Sequence, residues 1–78
     1  MKTTKYFDSL QLRPDRAGIK HQWIQYVIEN AEKVELQSDG RIRKWAKIDE
    51  VANRYLRVIL LDDGETVHNA FFDRGFKP

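Results

Sequence analysis

From Arg41 to Phe76 the chain alternates apolar with basic or aromatic residues, and this alternation constrains the fold most. Arg41-Ile42-Arg43-Lys44-Trp45-Ala46-Lys47-Ile48, then Tyr55-Leu56-Arg57-Val58-Ile59-Leu60-Leu61, then Val67-His68-Asn69-Ala70-Phe71-Phe72-Asp73-Arg74 all read at period two. Strand geometry sends successive side chains to opposite faces, so one face becomes core and the other collects Arg, Lys, His, Tyr and Trp.

Turn chemistry sets the registers. A two-residue turn at Asp39-Gly40 would oppose Leu36 to Arg43 and Val34 to Trp45. A three-residue loop, Ser38-Asp39-Gly40 with Gly40 left-handed, opposes Leu36 to Ile42 and Glu35 to Arg43. The second matches apolar with apolar and acid with base, and is expected. One face then holds Val34, Leu36, Ile42, Ala46 and Ile48, with Lys44 as a misfit. The other holds Glu35, Gln37, Arg41, Arg43, Trp45 and Lys47. Asp63-Gly64 signals a hairpin opposing Leu61 to Thr66, Ile59 to His68, Arg57 to Ala70 and Tyr55 to Phe72. Leu60, Val58 and Leu56 would then pair with Val67, Asn69 and Phe71 as the core face, leaving Asn69 in need of a partner. Whether Tyr55, Arg57, His68 and Phe72 continue the Arg41–Lys47 face depends on the register across Asp49–Asn53.

Upstream, Pro14 and Asp15 suit a helix start. Ile19, Trp23, Tyr26 and Val27 follow one helical stripe that Ile24, Ile28 and Ala31 widen, which predicts a helix over about 15–31. Residues 1–13 fit either a short helical turn or an extended arm. The expected fold is α+β: an N-terminal helix packed on a four-stranded antiparallel meander sheet, in a single domain, 1–78.

Composition bounds the rest. Seventy-eight residues buy only a thin core. There is no cysteine, which excludes disulfide and thiolate chemistry and fits a cytoplasmic setting. The longest aliphatic run, Val58–Leu61, is far short of a membrane span, and the opening residues do not read as a signal peptide. With 14 basic and 12 acidic residues the net charge of +2 demands no nucleic acid by itself. Its distribution says more: Arg41, Arg43, Lys44 and Lys47 run without an intervening acid.

Cations for phosphate and flat rings for bases are what a nucleic-acid surface needs. Arg41, Arg43, Trp45 and Lys47 are the candidate nucleic-acid-binding residues. The plainer reading makes Trp45 part of a small second core with the N-terminal arm, and pairs the arginines with Glu35 and Asp73. His68, with Arg57 and Tyr55, is the candidate catalytic group, since imidazole titrates near neutrality and a guanidinium stabilises a phosphorane. A lone strand histidine is more often structural. Phe72 and Phe76 are candidate partner-binding residues near the chain end, or else a docked tail. No metal-ligand spacing, phosphate loop or nucleophile motif occurs, and no cofactor is expected.

The stretch Asp39-Gly40-Arg41-Ile42-Arg43-Lys44-Trp45, with Tyr55-Leu56-Arg57-Val58 and Asp63-Gly64-Glu65-Thr66-Val67-His68-Asn69-Ala70-Phe71-Phe72-Asp73-Arg74, resembles an uncharacterised family of small bacterial proteins. More distantly, the helix-then-meander layout is similar to the RelE/ParE superfamily, particularly BrnT-like toxins. That resemblance implies a small ribonuclease or gyrase-directed toxin with a basic sheet face, held inactive by an antitoxin encoded alongside. It transfers no catalytic residue. The leading expectation is therefore a toxin-like RNA-binding protein or metal-independent endoribonuclease. Its partners would be RNA and a small acidic antitoxin-like protein, with no membrane and with a homodimer open. The alternative is a non-enzymatic protein–protein interaction module.

Overall fold

The computed structural model describes residues 1–78, and its centre is a seven-residue antiparallel ladder. Strand β2 (Ile42–Ile48) pairs with β3 (Arg54–Leu60), setting Ile42 opposite Leu60, Trp45 opposite Arg57 and Lys47 opposite Tyr55. Strand β1 (Lys33–Leu36) flanks β2, and β4 (Val67–Phe72) flanks β3, giving the meander order β1-β2-β3-β4. A short helix α1 (Lys5–Leu10) lies against β4, and α2 (His21–Asn30) crosses one face of the sheet over β2 and β3. No helix is long and apolar enough to cross a membrane.

The core is the layer between α2 and the sheet. Ile24 and Val27 of α2 meet Ala46, Ile48, Leu56, Val58, Leu60, Val67 and Ala70, with Phe7 and Ile19 closing the sides. Lys44 lies on this same face beside Val34 and Val58, and its ammonium donates to the Ile28 carbonyl at 3.0 Å. The misfit thus satisfies one of the orphan carbonyls in the last turn of α2, where the helix dipole favours a cation.

The first hairpin has the expected three-residue loop. Leu36 faces Ile42 and Glu35 faces Arg43, with Gly40 at φ +90°. The second hairpin follows its expected register only at the turn. Leu61 N–H donates to Thr66 O, and Leu60 faces Val67. A bulge then leaves His68 without a ladder partner, so that Ile59 faces Asn69, Val58 faces Ala70, Arg57 faces Phe71 and Leu56 faces Phe72. The expected pairings of Arg57 with Ala70 and Tyr55 with Phe72 are off by one residue. The physical reason is core filling: the bulge turns Val67, Ala70 and Phe72 inward and removes Asn69 from the core face. Asn69 Oδ1 instead accepts from Arg16 Nη1 at 2.7 Å.

Two boundaries also differ from expectation. Helix α2 starts at His21, because residues 13–19 form turns in which Arg13 O accepts from both Arg16 and Ala17 N–H. Residues 2–10 are arm and then helix. Thr4 caps α1 by accepting from Phe7 N–H, while the arm before it bonds along β4. The Asp62–Glu65 turn is anchored by Asp63, whose carboxyl is pulled down to about 2 by hydrogen bonds from the Thr66 hydroxyl and the Thr66 and Glu65 amides.

The connection between β2 and β3 is a 3₁₀ turn, Asp49–Val51, followed by Ala52 and Asn53 at φ +51° and +58°. A β-carbon in that region costs roughly 1–2 kcal/mol. Ala52→Gly is expected to stabilise the fold by up to about 1 kcal/mol, whereas Leu56→Ala, at a fully buried position, is expected to cost about 2–5 kcal/mol. Urea unfolding of the two variants checks both signs.

Candidate nucleic-acid interface

Opposite α2 the sheet presents its second face, and the β2–β3 ladder decides its membership. Residues opposite one another point the same way, so Lys33, Trp45, Arg57 and Phe71 form one row across all four strands. Glu35, Arg43, Ile59 and Asn69 form the next. Lys47 and Tyr55 lie at one end, and Arg41 and His68 at the other. The register across Asp49–Asn53 therefore puts Tyr55 and Arg57 on the face that carries Arg41, Arg43, Trp45 and Lys47.

At the middle of this face is a packed cation. Arg57 lies 5.4 Å from the Trp45 ring and 5.2 Å from the Phe71 ring. Its Nη1 is 3.6 Å from Asp73 Oδ2, which also accepts from Trp45 Nε1 at 3.0 Å. Cation–π contact with a partly desolvated guanidinium contributes on the order of 1 kcal/mol per ring. The ion pair orients the head group, although Arg57 Nε is buried without a partner.

Trp45 is not an open platform. It is 4% exposed. The C-terminal tail folds back so that Phe76 stacks on it at 5.0 Å and 20°, and leans on Tyr55 at 4.7 Å. A small second core around Trp45 thus exists, made with the C-terminal tail rather than the N-terminal arm. The same contact holds Phe76 half-buried, while Phe72 packs edge-on against Trp23 on the helix side, 6.1 Å away. Neither phenylalanine projects freely from the chain end.

The outer cations are tethered but reachable. Arg41 pairs with Asp39 at 3.7 Å, and Arg43 pairs with Glu35 at 3.8 Å. Gln37 Oε1, in the amide orientation that satisfies both of its ends, accepts from Arg43 Nε at 2.9 Å. Lys47 is exposed. Tyr55 donates its hydroxyl to Glu32 Oε1 at 3.3 Å. Beyond Tyr55 a cleft of 260 Å³ is lined by Arg54, Phe72, Asp73, Arg74 and Phe76. Nothing in the sequence marks Arg16 for this face, and Arg54, opposite Ile48 and 5.7 Å from the Phe72 ring, lies on the α2 side. Arg16 belongs here through its stacking on Phe71 at 5.3 Å.

His68 lies away from Arg57 and Tyr55. Arg57 faces Phe71, three residues along β4 from His68, which is roughly 10 Å of strand. Tyr55 O accepts from Asp73 N–H, so Tyr55 is two residues further still. The three candidate catalytic side chains do not converge. The histidine belongs instead to a cluster with the N-terminal arm. Its ring stacks on Tyr6 at 4.8 Å, and its Nδ1 meets Thr4 Oγ1 at 3.1 Å. No three His, Asp or Glu side chains are grouped as a metal ion would require.

Burial, and secondarily the Arg41 guanidinium, push the His68 pKa below its usual 6.5. The folded protein therefore favours neutral imidazole. This contribution to stability is fully present above the unfolded value and declines as pH falls through the folded one. An NMR titration is expected to place His68 below 6.5, and Arg41→Gln to move it back up without restoring it fully. A midpoint unmoved by Arg41→Gln would show that the guanidinium does not act on the ring.

No protein-family model, curated protein or solved structure matches the chain.

Proposed function

We propose that the protein binds single-stranded RNA on the sheet face opposite α2, acting as a toxin-like protein of the cytoplasm whose face a small acidic partner would cover. The observation that supports this most is the β2–β3 register, which collects Arg43, Lys47, Tyr55 and Arg57 with Arg41 on one surface while the main apolar core lies on the other. In this reading Arg41, Arg43 and Lys47 hold phosphates, with Arg74 continuing the track along the tail. Tyr55 offers an aromatic edge for a base, and Trp45, Arg57 and Asp73 are the rigid floor rather than contact groups. The separation of His68 from Arg57 and Tyr55 favours binding over cleavage by that trio.

Fluorescence anisotropy with a labelled single-stranded RNA tests the reading. Three phosphate contacts predict that log K falls against log salt with a slope of about −2, since each contact contributes roughly −0.7 on single strands. Replacing Arg43 or Lys47 with Gln should flatten that slope by about 0.7, whereas Gln25→Ala on α2 should leave it unchanged. RNA binding that is absent at low salt, or a slope indifferent to Arg43 and Lys47, contradicts the proposal.

A further inference from the structure

Of the two edges of the sheet, only one is closed. Along β4 the N-terminal arm supplies the missing strand: Thr4 N–H donates to Val67 O at 3.0 Å, and Val67 N–H donates to Lys2 O at 2.9 Å. Further on, Arg16 Nη1 donates to Ala70 O at 3.1 Å. Nothing comparable lies along β1.

The backbone of β1 shows which groups are left over. Gln37 N–H donates to Arg41 O at 2.8 Å, and the same register pairs Glu35 with Arg43 and Lys33 with Trp45. In an antiparallel ladder the bonding residues alternate, so Lys33, Glu35 and Gln37 turn their amides toward β2, while Val34 and Leu36 turn theirs outward. The side chains of those two residues are also uncovered, Val34 at 56% and Leu36 at 76% exposure. An edge with free amides and apolar side chains is a template for another strand.

We propose that β1 pairs antiparallel with β1 of a second copy across a two-fold axis through Val34. The sequence Lys33-Val34-Glu35 is self-complementary in that arrangement. Val34 faces the partner's Val34 as a hydrogen-bonded pair, Lys33 faces the partner's Glu35, and Glu35 faces the partner's Lys33. Sliding the pairing by one residue on each strand would set Glu35 against the partner's Glu35, and like charges directly opposite are destabilising. The occupant is a second copy because the edge carries its own opposite charges in the order that an antiparallel twin requires. The pairing joins two four-stranded sheets into one and runs the two RNA-facing surfaces together. A four-residue strand buries much less than the ~1,200 Å² of a stable interface, so the dimer is weak, with Kd on the order of 100 μM.

Light scattering over a concentration series from about 10 μM to about 1 mM should show the mass rising from 9.3 kDa toward twice that value. Val34→Pro removes only an outward N–H, a position where an edge strand tolerates proline, so it should keep the circular dichroism spectrum and remain at 9.3 kDa. Because the chain has no cysteine, single replacements report the register without touching that ladder. Under mild oxidation Val34→Cys should crosslink to a dimer, and Glu35→Cys should not. A mass fixed at 9.3 kDa throughout overturns the proposal, even if another protein binds this edge. So does a folded Val34→Pro variant that still doubles in mass. Preferential crosslinking through Glu35→Cys overturns the register. If Val34→Pro fails to fold, the cysteine pair decides alone.

Discussion

The seven-residue β2–β3 ladder is the constraint on which everything else rests. It decides at once which side chains α2 can bury and which remain for the other face. Because Ile42, Ala46 and Ile48 share a side with Leu56, Val58 and Leu60, the α2 stripe has a continuous apolar floor. By the same parity Trp45 must lie opposite Arg57. A one-residue slip of β2 against β3 would turn Arg43 and Lys47 under α2 and Ala46 and Ile48 away from it, at a desolvation cost that a core this thin has no means to offset.

The open face is organised around charge rather than apolar area. Arg57 is the most constrained of its cations, held between two rings and by Asp73, and so it is the least able to reach outward. Arg41 and Arg43 are tied to carboxylates of their own hairpin at separations near 4 Å, contacts that water screens and a phosphate can replace. The face thus divides into a fixed centre and exchangeable margins, an arrangement that fits the proposed phosphate contacts in a chain of modest net charge. The tail sharpens this division. By laying Phe76 over Trp45 it withdraws the largest ring from solvent and leaves Tyr55 beside a cleft bearing Arg54 and Arg74.

Much of this was legible in the residues. Gly40 after Ser38-Asp39 specified the first hairpin, since only the three-residue loop matched Glu35 to Arg43. The helix–meander order followed from the change of period after Ala31. What could not be read came from contacts distant in sequence. The bulge at His68 depends on which of Asn69 and Ala70 the core accepts, and that is settled by α2 and by Arg16. The spacing of Val67, Ala70 and Phe72, three and then two, was the available signal. The burial of Trp45 depends on a tail whose sequence, Asp73-Arg74-Gly75-Phe76, gives no periodicity to follow. The late start of α2 reflects Ile19 reaching the core from a turn rather than from a helix. His68 was placed with Arg57 and Tyr55 by strict alternation, and the extra residue in β4 is what separates them.

RNA binding is proposed for the face opposite α2. The most direct measurement is a backbone amide NMR titration with a short single-stranded RNA at low salt. Shift changes should gather on Arg41, Arg43, Lys47, Tyr55 and the Arg74–Phe76 tail, while Gln22, Gln25 and Glu29 on the outer side of α2 stay still. Changes centred on α2, or none along β2 and β3 at saturating RNA, would contradict it.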